Sequence, residues 1–215
     1  MRWLLFILLF QTLGFSQRKV AIPPADSTAY YIDLATFNKK INNYKSSLYF
    51  SQKAINYAQL KGNTQQKSDA LYSLGSTYFE LKKYEDAVEV FSKCAALLSS
   101  IPPSSQQAIC YYNMGMCYMN LDEFAKAELN FNKSQAVYNI LKIDASEPLK
   151  LQKGILYKNK GKTELASKLF NEIISKSDLE DIYKSKAEAL YQMGTIEESL
   201  NHNNLAINYL NRALA

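Results

Sequence analysis

The sequence predicts an all-α solenoid of about five antiparallel helix pairs. Three observations carry this. A small residue recurs every 39 or 40 positions, at Ala35, Gly75, Gly115, Gly154 and Gly194. Apolar residues fall at three- and four-residue spacings, as in Leu71, Leu74, Tyr78 and Leu81, without the sustained alternation that marks strands. The 215 residues include only 7 Gly and 5 Pro, too few for a loop-rich chain, whereas 16 Tyr and 10 Phe need surfaces to stack on.

The first element is not part of the solenoid. Arg2 is the sole charge before Arg18, and Trp3 to Phe10 is an unbroken apolar run followed by small residues at Gly14 and Ser16. That layout predicts a secretory signal peptide over residues 1–16, cut after Ser16. A spanning helix needs roughly 20 apolar residues, and this run is too short. No cysteine follows it to carry a lipid. Cleavage removes Arg2 and lowers the formal charge from +5 to +4. The expected location is therefore periplasmic or extracellular, and the membrane is met only through the transient signal. Residues 17–27 read as a linker.

The five units are expected at about 28–62, 63–103, 104–145, 146–177 and 178–215. Aligning the small-residue column brings Leu74 onto Met114, Tyr78 onto Tyr118, Tyr84 onto Phe124, Ala87 onto Ala127 and Phe91 onto Phe131. Tyr157, Ala166 and Phe170 extend the columns into unit four; Leu190, Ala206, Leu210 and Ala213 extend them into unit five. Breaks at Gly62-Asn63, Pro102 to Ser105 and Asp144 to Pro148 separate the early units. Tight turns at Leu81 to Lys83, Asn120 to Asp122 and Asn159 to Lys162 split units two to four into two helices each. The spacing has a packing reason. The first helix supplies a small residue where the second crosses it, and the second returns Ala87, Ala127, Ala166 or Ala206. Phe91, Phe131 and Phe170 are then expected to fill the gap to the next unit. One pair cannot bury both faces, so stability comes from stacking.

These columns resemble the tetratricopeptide repeat family, most closely from Ser68 to Ser99 through Leu71, Leu74, Gly75, Tyr78, Ala87 and Phe91. The resemblance runs from about Thr28 to Ala215 and implies a right-handed α-solenoid that binds other proteins. Two features depart from the family. Its repeat is 34 residues, about six shorter than this one, and the proline that closes the second helix is displaced to Pro102 or absent. Longer helices explain both, and such arrays are similar to those of exported or sensor-associated bacterial proteins.

Residues suited to chemistry are scarce. His202, the only histidine, lies among Asn201, Asn203 and Asn204 with no second His or nearby Cys, so no metal or catalytic role is expected. No phosphate-cradling glycine loop is present. Glu85-Asp86 and Asp122-Glu123 suit helix starts. No enzyme, cofactor or metal site is therefore predicted. A net charge of +5 with scattered lysines does not make a nucleic-acid surface. Cys94, Cys110 and Cys117 are odd in number, so at least one stays free or pairs between chains. Cys110 and Cys117, two helical turns apart, are too distant to bond. Cys94 with either is open, as is simple burial of all three.

The remaining candidate is surface. In the family, ligands lie along the concave stripe of the first helices. Counting from the small-residue column places Tyr72, Ser76, Phe79, Tyr112, Met116, Met119, Asn120 and Tyr191 there, an aromatic and Met-rich centre. These residues either hold a partner or, if long helices narrow the groove, pack against one another. Lys and Asn are missing from the columns with which some family members clamp a terminal carboxylate, so that ligand is not expected. The predicted function is a protein- or peptide-binding scaffold; the alternative is the input region of a longer sensor kinase or regulator. The second helix of unit five, from about Asn203 to Ala215, is followed by no capping helix. The chain is thus expected to be a fragment or to self-associate through that end.

Overall fold

The computed structural model describes residues 27–61, 63–143, 147–176 and 183–214. The expected signal at 1–16 lies outside them, as do 17–26 of the expected linker and parts of the breaks between units. Ten helices follow in order: α1 (Ser27–Lys40), α2 (Tyr44–Lys61), α3 (Thr64–Glu80), α4 (Tyr84–Leu98), α5 (Ser105–Asn120), α6 (Phe124–Ile140), α7 (Glu147–Asn159), α8 (Thr163–Ile174), α9 (Tyr183–Ser199) and α10 (Asn203–Leu214). Odd-numbered helices are the first members of five antiparallel pairs. Among the described residues there is no strand, and the chain forms the expected α-solenoid.

Every pair turns in the same way. Asn42, Lys82, Asp122, Gly161 and Asn201 follow the first helices with φ of 58°, 57°, 57°, 71° and 61°. Lys82 N–H donates to Phe79 O at 2.9 Å and Lys83 N–H to Tyr78 O at 3.0 Å, and the other four turns repeat this pattern. Two carbonyls at the end of each first helix are thereby satisfied. The second helices start directly out of this turn, so α4, α6 and α8 need no side-chain cap. Two of the helices that open a new pair do carry one: for α3, Asn63 Oδ1 accepts from Gln66 N–H at 2.9 Å, and for α5, Ser104 Oγ accepts from Gln107 N–H at 3.3 Å. Only the fourth turn uses glycine, for which left-handed backbone is least costly. Lys82→Gly is therefore expected to stabilise by about 0.5–1 kcal/mol, the left-handed penalty less the entropy glycine loses. A rise in urea midpoint checks this; a fall would show that Lys82 sits there without strain.

The core lies between the two rows of helices. A Cβ built on Gly75, Gly115 or Gly154 would stand 2.9, 2.5 or 2.5 Å from a ring carbon of Phe91, Phe131 or Phe170. The rings thus lie over the glycine of their own pair, where the sequence suggested that they fill the gap to the next. Both are partly true, because Phe91 also belongs to a buried cluster with Met114 and Cys117 of the following pair. In pair five Leu210 takes the ring's place against Gly194. Pair one has Ser51 in the phenylalanine column and uses hydroxyls instead. Ser47 Oγ donates to Ala35 O at 2.9 Å and lies 2.8 Å from Thr77 Oγ1, and Ser51 Oγ lies 3.0 Å from Ser73 Oγ.

Successive pairs meet unequally. Among the described residues, α6 and α7 touch less than any other consecutive helices. The α6 face that carries Val90, Cys94 and Leu98 in α4 here carries Asn130, Ser134 and Tyr138. Asn130 Oδ1 and Ser134 Oγ are buried without a hydrogen-bond partner, each at a cost of roughly 1–3 kcal/mol. Lys160 after α7 reaches back to pair with Glu128 on α6 and holds its carboxyl below the ordinary range.

Candidate functional site

Among the described residues first helices touch across three of the four seams, α1 with α3, α5 with α7 and α7 with α9, whereas second helices make no comparable contact. The first-helix row is therefore the closer, inner side of the stack. Two columns of this row, one and four residues after the small-residue position, are bridged between neighbouring pairs at two places. At one end Lys39 Nζ donates to Ser76 Oγ at 2.5 Å. At the other Lys158 Nζ donates to Thr195 Oγ1 at 3.0 Å and also to Gln192 Oε1. Both bridges span 37 residues. Between them the same two columns hold Phe79 with Met116, then Met119 with Ile155. The stripe is thus apolar in its middle and lysine-bridged at both ends. Burial holds Lys39 and Lys158 below the ordinary lysine range.

Each sequence-selected residue has a definite place. Tyr112, Met116 and Met119 are half-buried against the Ala108, Ala127 and Phe131 cluster, and the Tyr112 ring lies 5.9 Å from that of Phe131. Burial pushes its hydroxyl up to about 12. Tyr72 repeats the arrangement 5.8 Å from Phe91. Its pKa is raised by burial and partly offset by a hydrogen bond from Asn113, which links α3 to α5. Phe79 lies edge-on to Tyr84 at 5.6 Å. Ser76 is taken up by Lys39, and exposed Asn120 donates to Met116 O at 2.8 Å. Tyr191 stands apart on α9, 49% exposed. The two tyrosines are therefore core as much as groove: each ring rests against a core phenylalanine, and burial raises both hydroxyls.

Several polar residues of this row were not selected from the sequence. Gln106 donates through Nε2 to Asp69 Oδ1 at 2.7 Å and accepts through Oε1 from Gln65 Nε2 at 2.5 Å, joining α3 to α5. Gln192 Nε2 donates to Glu188 Oε1 at 2.7 Å beside the Lys158 bridge. The signal for Lys39 and Lys158 was present, since they share a column with Phe79 and Met119. Asp69 and Gln106 lie a turn or more upstream of the counted columns. His202 Nδ1 is 2.8 Å from Glu197 Oε2 in an exposed turn. Among the described residues no group of three His, Cys, Asp or Glu is placed to hold a metal, and no helix is long and apolar enough to cross a membrane.

The repeated glycine–ring crossing and the shared turn match known proteins. Tetratricopeptide-repeat profiles fit residues 66–140 and 187–215. The chain belongs to the tetratricopeptide-repeat family. It is 26% identical over 121 residues to outer dynein arm-docking complex subunit 4 of Xenopus laevis, a match covering 56% of this chain and 20% of that protein. The matched stretch thus spans one fifth of that relative's length. Among solved structures, BtubC (BKLC) from P. vanneervenii superposes with a TM-score of 0.74 at 14% identity, over 87% of this chain and 78% of that one. The Rap conjugation gene regulator of plasmid pLS20, solved in complex with the Phr* peptide, gives 0.68 at 17% identity, over 87% and 52%. At these identities the likeness of this tetratricopeptide-repeat chain to the solved structures is one of fold.

Proposed function

We propose that the chain is an exported, non-catalytic scaffold that holds an extended peptide or protein segment along its first-helix row. The observation that carries this is the stripe of Phe79, Met116, Met119 and Ile155 set between two lysine bridges. Half-buried aromatic and thioether groups offer adaptable apolar contact at modest entropic cost. The fitting segment is apolar in its middle and polar at its ends. The solved neighbour that holds a peptide supports the class of ligand. Export is supported by Arg2, the apolar run from Trp3 to Phe10, and Gly14 and Ser16. α10 exposes Ile207 and Leu214 two turns apart on one face, and this face is proposed as a second contact surface, for another copy of this chain. The alternative role as input region of a longer sensor would use the same row.

The test expresses the full chain in a Gram-negative host and recovers the periplasmic product, whose N terminus is expected at Gln17. That product is screened against a displayed library of random linear peptides. Enriched peptides are expected to lose about tenfold or more in affinity on Phe79→Glu or Met116→Glu, with helicity unchanged. Lys93→Glu on α4 should have no effect. Enrichment that ignores both groove variants would overturn the groove reading. A product retained in the cytoplasm would overturn export alone.

A further inference from the structure

Cys94 on α4 and Cys110 on α5 are sixteen residues apart in sequence, and their sulfur atoms lie 3.0 Å apart. Both side chains are fully buried. The two helices belong to different pairs, so the contact crosses the seam between pair two and pair three. The equivalent positions one pair earlier are Ala54 and Ala70, both also fully buried. This column pair is where consecutive pairs approach closely enough to call for small side chains, and here it holds two thiols. A disulfide needs sulfurs about 2.05 Å apart on neighbouring backbones, a closure of about 1 Å from this arrangement. Cys117 lies elsewhere, clustered with Ala87, Phe91 and Met114.

We propose that Cys94 and Cys110 are joined by a disulfide that staples α4 to α5, made while the chain folds in an oxidising surrounding. That surrounding rests on the export reading; the capacity to form the bond does not. The oxidant is an external disulfide, either oxidised glutathione or the exchange-active bond of an oxidoreductase. One cysteine loses its proton, attacks that disulfide and expels a thiol. The second cysteine loses its proton and attacks the protein sulfur of the mixed disulfide, forming Cys94 Sγ–Cys110 Sγ and expelling the second thiol. Two electrons and two protons pass to the external disulfide, which leaves as two thiols. In the closed, reduced fold the Cys94 thiol is held far above the ordinary thiol range by its contact with Cys110 and by burial. Thiolate is scarce there and no oxidant reaches it, so the bond forms before the seam shuts. Once made, it links α4 and α5 across the Pro102-Pro103 break and is shielded from reductant.

The test unfolds the purified chain with reductant and refolds it with oxidised glutathione as the probe. The product is expected to weigh about 2 Da less than the reduced chain, to yield a linked Cys94–Cys110 peptide, and to titrate one thiol in place of three. Cys117→Ser should keep the mass loss; Cys94→Ala and Cys110→Ala should each abolish it. The linked form should unfold at higher urea than the same chain after reduction. Three titratable thiols in the refolded wild type, or a link through Cys117, would overturn the proposal. Because refolding is done outside the cell, its outcome is separate from where the chain is found.

Discussion

A Gly115→Leu chain is expected to lose about 3 kcal/mol or more of stability. A Cβ at that position would stand 2.5 Å from Phe131 Cε1 and 2.6 Å from Cδ1. Phe131 is fully buried, and the Tyr112 ring rests against it on the row side, so the ring has no free volume to enter. Leucine's better helix propensity returns only about 1 kcal/mol. Gly154, with a ring carbon equally close, should be as intolerant. Gly194 should be more forgiving, because its neighbour is Leu210, a flexible and only half-buried side chain. Gly161 has nothing within 4 Å and is constrained only by its φ of +71°, which costs an L-residue about 1–2 kcal/mol. Urea midpoints followed by far-ultraviolet circular dichroism give the ranking. A Gly115→Leu midpoint equal to that of the wild type would mean that the crossing can open without cost.

Alkali is expected to destabilise the chain partly through Cys117, alongside Cys94, whose thiol is raised further by Cys110 and burial in the reduced chain. Burial pushes its thiol from 9.0 up to about 12, so the folded state keeps a proton that the unfolded chain releases. A group raised in this way contributes its full stability below pH 9 and loses it as the pH climbs towards 12. The loss for this thiol is about 4 kcal/mol at the top of that window. Tyr112, raised from 10.0 to about 12 by burial, adds in the same direction above pH 10. Lys39, Lys153 and Lys158 oppose it: burial lowers their pKa values, so they favour the folded state as the pH rises towards 10.5. The informative measurement is therefore the difference between wild type and Cys117→Ala. The variant should show a flatter fall in stability from pH 9 to 12. Parallel curves would show that Cys117 does not carry the transition.

The fold was legible because one packing solution is written three times, with variants of it in pairs one and five. Gly75 over Phe91 and Gly115 over Phe131 are far apart in the chain but identical in offset, and offset is what a sequence displays. The left-handed turn is repeated as faithfully, yet only Gly161 and the two asparagines advertise it; Lys82 adopts it because the flanking helices hold it there. The site was less legible. Tyr72 and Tyr112 were picked by column, and a column cannot separate a ring resting on a phenylalanine from one standing in a groove. Lys39 and Lys158 share a column with Phe79 and Met119, but their hydroxyl partners lie 37 residues on. Finding them requires knowing how successive pairs are offset. Asn130 and Ser134 break the apolar column of α4 in plain view, but the loosened contact with α7 appears only once the helices are placed.

That loosened contact gives the stack an articulated mechanics. Three pairs, α1 to α6, form one arm on one side of it, and two pairs, α7 to α10, form another on the other side. Bending or torsion applied to the ends would concentrate at the joint between α6 and α7, where consecutive helices touch least, Val137 and Tyr138 still pack with Leu149 and Leu156, and two polar atoms gain solvent when it opens. A segment seated over Phe79 and Met116 lies on one arm and leaves the joint free. A longer one reaching Lys158 and Thr195 crosses it, so gripping such a segment would set the angle between the arms.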